Sequence, residues 1–75
     1  MRAGGSVPLE GGRALEVSRV EATGAVLFRD GVQELEVTRS EFAADVRGSL
    51  LRVVVAFQVP PASFDALVDA MFEVS

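Results

Sequence analysis

Two consecutive prolines, Pro60 and Pro61, divide the last third of the chain into segments with different apolar patterns. Residues 50–59 form a nearly continuous, valine-rich run, which is typical of a strand buried on both sides. Proline donates no amide to a sheet and suits the first turn of a helix. Apolar residues of segment 61–74 then recur at the spacing of one helical face: Phe64, Leu67, Val68, Met71 and Phe72. We predict a strand at 50–59 and an amphipathic helix at 61–74.

Asp30-Gly31 lies between two alternating runs within residues 24–38. This dipeptide suits the positive φ angles of a two-residue hairpin turn. In that register Val26 faces Leu35, and the apolar side chains gather on one face of the hairpin. The residues of that face are Val26, Phe28, Leu35 and Val37.

Three weaker patterns occupy the rest of the chain. Leu15 and Val17 alternate with polar residues, which predicts a further strand at 14–22. Thr38 and Glu41 have the spacing of a capping box, and residues 42–48 suit either a short helix or a loop over the core edge. Residues 1–13 are rich in glycine and have little periodicity, so we expect a flexible N-terminal arm.

These elements predict an α+β fold, in which a small antiparallel sheet of about four strands carries one C-terminal amphipathic helix on one face. Residues 14–75 would form a single domain after the arm. A core of this size rarely supplies more than about 3–5 kcal/mol, and the chain has no cysteine to add a disulfide. Oligomerisation is the remaining source of stability, so we expect a homodimer.

The chain lacks seven residue types, namely His, Cys, Lys, Tyr, Trp, Asn and Ile. Their absence removes the usual nucleophile and base pairs, the Schiff-base lysine, and the thiolate and imidazole metal ligands. We therefore predict no enzymatic activity, no catalytic residues, no cofactor and no metal site.

The formal net charge is -4, and all seven cationic side chains are arginines. Proteins that bind the phosphate backbone concentrate positive charge on one face, so we expect no direct contact with nucleic acid. No apolar run reaches the roughly 18 residues of a membrane span, and no signal-peptide pattern is present. We expect no membrane partner and a cytoplasmic location.

A single helix covers only one side of a small sheet, so the apolar residues on the other side need a partner. In the predicted strands these residues are Leu27, Val32, Val54 and Ala56. We predict that they form an interface with a second copy or with another protein. The alternative is a sheet that curls into a small barrel and buries them within one chain.

Four charged residues are candidate polar contacts. Arg52 interrupts the predicted strand 50–59, where it either pairs with Glu34 or Glu36 on a neighbouring strand or binds a ligand. The other three are spaced four residues apart on the predicted helix, as a solvated face or a site for a basic partner: Asp65, Asp69 and Glu73.

Residues 50–72 and 19–27 resemble two parts of a PilZ domain. The first segment is similar to its closing strand, proline and helix, and the second to the loop after its second strand. The nucleotide-binding arginine pair of that family has no counterpart, because Arg2 and Arg13 have a different spacing, and its Asp-x-Ser element reads Arg19-Val20-Glu21. The resemblance implies a degenerate ligand-binding domain, with anions bound by Arg19, Arg29 and Arg52.

Taken as a whole, the sequence predicts a small, non-catalytic protein interaction or regulatory module that acts as a homodimer or with an unidentified protein. Two alternatives remain open at this point. One is the degenerate PilZ-like domain, and the other is an acidic inhibitor of the phage type that occupies a nucleic-acid-binding protein.

Overall fold

The computed structural model describes residues 4–74. Its strands are β1 (Gly4–Pro8), β2 (Ala14–Arg19), β3 (Val26–Arg29) and β4 (Glu34–Val37). Its α-helices are α1 (Arg39–Ala44), α2 (Val46–Phe57) and α3 (Phe64–Val74), and single 3-10 turns lie at Glu10–Gly12 and Pro61–Ser63. The strands form one antiparallel sheet in the order β1-β2-β3-β4, and α3 packs on it. The predicted α+β class and four-stranded sheet are confirmed.

The core lies between one face of the sheet and the helices. Alternation along each strand places apolar side chains on this inner face, where Val17 is opposite Phe28 and Val26 is opposite Val37. Helix α3 covers β1 and β2, and α2 contributes Val53 to the same cluster. Within the described residues β1 and β4 each pair with one neighbour, so the sheet is open and the small-barrel alternative is wrong.

The strand predicted at 50–59 is wrong, because most of this segment belongs to α2. The side chain of Asp45 caps the helix and accepts a hydrogen bond from the Gly48 amide at 2.9 Å. The helix ends at Gln58, whose φ of 53° gives the left-handed cap that often closes helices. By periodicity alone, a short apolar run fits a buried strand or a buried helix equally well. In this chain the valines of the run lie in a helix.

The fourth strand comes instead from the segment predicted as a flexible arm. Residues 4–8 form β1, which pairs antiparallel with β2 so that Val7 lies opposite Leu15 and is fully buried. Helix α3 packs over this strand at Gly5, where a Cβ would lie 3.5 Å from the Cβ of Ala70, an ordinary van der Waals distance. The arm is therefore wrong for residues 4–13, and residues 1–3 lie outside the described part of the chain.

The predicted hairpin forms, but its register differs by two residues. Val26 pairs with Val37 rather than Leu35, and the connection is a four-residue loop at 30–33. Asp30 organises this loop, because its Oδ1 accepts hydrogen bonds from the amides of Val32 and Gln33, both at 2.9 Å. A shift of two residues keeps every side chain on its face, so the predicted apolar face is retained.

Two predicted helix features are confirmed. Thr38 and Glu41 form the capping box of α1: the Glu41 amide donates to the Thr38 hydroxyl at 3.1 Å, and the Thr38 amide donates to the Glu41 carboxylate at 3.2 Å. The C-terminal helix buries Leu67 and Met71 as expected. Phe64, by contrast, is 41% exposed, because it begins α3 at the edge of the core.

Candidate interaction surface

A groove lined only by apolar residues lies between α2 and α3. We call it the helical groove, and its volume is about 270 Å³. Helix α2 supplies one wall and the first half of α3 supplies the other. The lining residues are Leu50, Leu51, Val54, Phe64, Leu67 and Val68.

Apolar side chains at and beside the groove extend into solvent. Leu51 is 63% exposed and Val55, one helical turn further along α2, is 68% exposed. Single exposed apolar residues are common, but several of them around an apolar groove form a contiguous patch. Patches of this kind mark contact sites for other macromolecules.

The groove is apolar because α2 carries more apolar residues than its attachment to the core requires. Val46, Val53 and Phe57 repeat at helical spacing and are enough to attach the helix to the core. Leu51 and Val55 point away from this face, so their side chains add nothing to the core. A surface helix ordinarily carries polar residues at these positions.

The exposed charges of the two helices that form the groove differ in sign. Arg47 near the start of α2 is exposed and makes no ion pair within residues 4–74. Asp65, Asp69 and Glu73 are all exposed on α3, as the sequence predicted. The exposed charges are therefore positive on α2 and negative on α3.

Arg52, the other arginine of α2, lies away from the groove against α1. Its Nη1 is 3.2 Å from Oε2 of Glu41, so the cross-strand pairing expected with Glu34 or Glu36 is wrong. Hydrogen bonds from the amide and hydroxyl of Thr38, and then the charge of Arg52, hold the pKa of Glu41 below its ordinary value. Arg52 joins α2 to α1 rather than lining a ligand site.

The four residues predicted as an interface do not share one sheet face. Only Leu27 lies on the outer face of the sheet, Val32 is 85% exposed in the β3–β4 loop, and Val54 lines the helical groove. Ala56 is half-buried near the end of α2, where its carbonyl accepts a hydrogen bond from the Gln33 side chain. The prediction of a common face was wrong because it depended on a strand at 50–59.

The outer face of the sheet is polar. Arg29 and Glu16 face each other across β2 and β3 with 3.4 Å between Nη2 and Oε1, and Glu34 lies opposite Arg29 in the register of β3 and β4. The structure does not bring together the three arginines of the PilZ-like alternative, since Arg19, Arg29 and Arg52 lie on β2, β3 and α2. Two of them already contact carboxylates.

Sequence reasoning missed Leu50, Leu51, Val55 and Phe64 as surface residues. For Leu50, Leu51 and Val55 the signal was present in the valine-rich run, which is apolar on more than one face when it is read as a helix. Asp45 before that run, as a capping residue, was the local indication of a helix start.

No helix in the described part of the chain has both the length and the apolar character needed to cross a membrane. Within residues 4–74, no three acidic side chains converge in an arrangement suited to a metal ion. Comparisons with protein-family models, with curated proteins and with solved structures find no match to this chain.

Proposed function

We propose that this protein is a small, non-catalytic, cytoplasmic interaction module whose contact surface is the helical groove and the apolar residues beside it. The observation that carries the proposal is the exposure of Leu51, Val55 and Phe64 around a groove without polar lining. Removing apolar surface from water stabilises a complex by roughly 25 cal/mol per Å². Binding of a partner that covers these side chains is therefore favourable.

The surface suits a protein partner better than a small molecule. The groove offers no hydrogen-bonding group to fix the orientation of a ligand, and small-molecule sites ordinarily contain a few such groups. The net charge of -4 and the acidic row on α3 argue against nucleic acid as the partner. An apolar centre with charges at its rim is the usual composition of a protein interface.

Photo-cross-linking in the native host tests this proposal. A photoreactive amino acid at position 55 should give covalent products with whatever protein covers the groove. The same amino acid at position 32 is the matched control, because Val32 is also a highly exposed valine but lies in the β3–β4 loop. Leu51→Glu should remove the products formed from position 55, since it introduces a charge into the apolar contact.

Leu51→Glu should leave the fold intact, because the Leu51 side chain is mostly exposed and surface substitutions usually change stability by no more than about 0.5 kcal/mol. Circular dichroism of the variant checks this. Equal cross-linking from positions 55 and 32, or products that persist in folded Leu51→Glu, would show that the groove is not the contact surface. A basic, nucleic-acid-binding protein among the products would favour the acidic-inhibitor alternative for the same surface.

A further inference from the structure

We infer that the partner in the helical groove is a second copy of this chain, packed crosswise so that α2 of each copy lies against α3 of the other. This inference rests on the proposed function, because it names the occupant of the same surface. It is carried by the distribution of charge on α2 and α3 and by the shape of the apolar surface.

The charges select the crosswise arrangement. The exposed charges of α3 are all acidic, so packing α3 against α3 of a second copy would bring Asp65 and Asp69 together with their equivalents. Like charges brought together at an interface are strongly unfavourable. When α2 crosses α3 of the other copy, Arg47 instead meets an acidic helix, and two-fold symmetry makes this contact twice.

The apolar surface is self-complementary in the same arrangement. Leu51 and Val55 form an exposed ridge on α2, and Leu51 is also part of the wall of the helical groove. A symmetric dimer needs a surface that fits itself, with a protrusion and a recess on each copy. The ridge of one copy can then enter the groove of the other, and both ridges are removed from water.

The size of the chain is compatible with this arrangement. A standard interface buries about 800 Å² per partner, which is roughly a sixth of the 4833 Å² exposed by this chain. A core this small gains stability from association, as the length and composition already predicted. Arg47 also gains a partner, which it lacks within residues 4–74.

Sedimentation equilibrium of the purified full chain from micromolar to millimolar concentration is the first test. We expect a reversible shift from 7.9 kDa toward twice that mass. Leu51→Glu should raise the dissociation constant at least tenfold, whereas Val32→Glu, the control at an apolar position that is even more exposed, should leave it unchanged.

Charge reversal tests the crosswise geometry. Arg47→Glu and Asp69→Arg should each weaken the dimer about tenfold, because each replaces two attractive contacts by two repulsive ones. The double variant, with both reversals in one chain, should recover the parent dissociation constant. If α2 packed on α2 and α3 on α3, Arg47→Glu would replace one contact between like charges by another, and Asp69→Arg would gain an attraction to the remaining acids of α3, so affinity would not fall.

The results separate this inference from the proposed function. A folded parent that stays at 7.9 kDa at millimolar concentration overturns the second copy as partner. Cross-links from position 55 to a different protein would then still support an interaction surface at the groove. A dimer that Leu51→Glu leaves intact, or single reversals without effect, overturns the crosswise packing.

Discussion

A matched pair of substitutions, Val53→Ala and Val55→Ala, tests whether segment 46–57 is a helix in solution. In a strand the two valines would point to the same face and would have similar surroundings. In α2 they differ completely, since Val53 is fully buried in the core cluster and Val55 is 68% exposed. The two substitutions are chemically identical, so any difference in their effects reports on burial.

The expected costs follow from these exposures. Val53→Ala removes two buried methyl groups, worth about 1.6 kcal/mol at about 0.8 kcal/mol each, and the residual cavity adds to this loss. Alanine is the better helix former by about 0.5 kcal/mol, which offsets part of the cost at position 53 and about balances the small loss of contact at position 55. We expect a net loss of about 1.5–2 kcal/mol for Val53→Ala and a change near zero for Val55→Ala.

Urea unfolding followed by circular dichroism measures both free energies of unfolding. The measurements should be made at several protein concentrations, because any contribution of Val55 to a dimer appears as a concentration-dependent term. Equal losses for the two variants would refute the helical assignment and restore the strand expected from the valine pattern.

Two further predictions concern the cap of α2 and the response to acid. Gln58→Gly should raise the free energy of unfolding by about 0.5–1 kcal/mol, because glycine adopts the positive φ of this position without strain. Urea unfolding measures this change, and a lower urea midpoint than that of the parent would contradict the prediction. The pKa values of Asp30 and Glu41 are lowered in the folded state, chiefly by hydrogen bonds from backbone amides. The amides of Gln33 and Val32 donate to Asp30, and the amide of Thr38 donates to Glu41. Their contribution to stability is therefore complete above the unfolded-state pKa values and is lost as the pH falls through the folded ones. The difference in urea midpoint between the parent and the double variant Asp30→Asn/Glu41→Gln should shrink as the pH falls below about 4, the ordinary carboxyl range; a constant difference would contradict this assignment.

Local sequence was sufficient where the signal for an element lies within that element. The helix at the C terminus was predictable from the spacing of Leu67 and Met71, because an amphipathic helix needs only its own residues to define a face. The capping box of Thr38 and Glu41 was predictable for the same reason, since its partners are three residues apart. The face of the β3–β4 hairpin survived an error in register because side chains alternate with a period of two.

The candidate interaction surface could be predicted only in part. The sequence indicated an excess of apolar residues, and Val54, one of the four residues expected at an interface, lines the helical groove. Its contact with a partner stays a prediction. The position of the surface between two helices, and the contribution of Leu51 and Phe64, depended on how segment 46–57 folds. Because segment 46–57 was assigned to a strand, the position of the groove could not be predicted.

Tertiary structure decided the elements whose local signal was ambiguous or absent. Residues 4–8 have no apolar periodicity of their own, and they are a strand because β2 supplies hydrogen bonds and α3 packs against Gly5. The valine-rich run in 46–57 suits a strand or a helix, and with β1 as the fourth strand it forms a helix on the inner face of the sheet. The amino-acid sequence by itself determined the capping box of α1, the apolar face of α3 and the apolar side of the β3–β4 hairpin. Contacts distant in the sequence decided which segments complete the sheet, because the partners of a strand's backbone amides lie outside that strand.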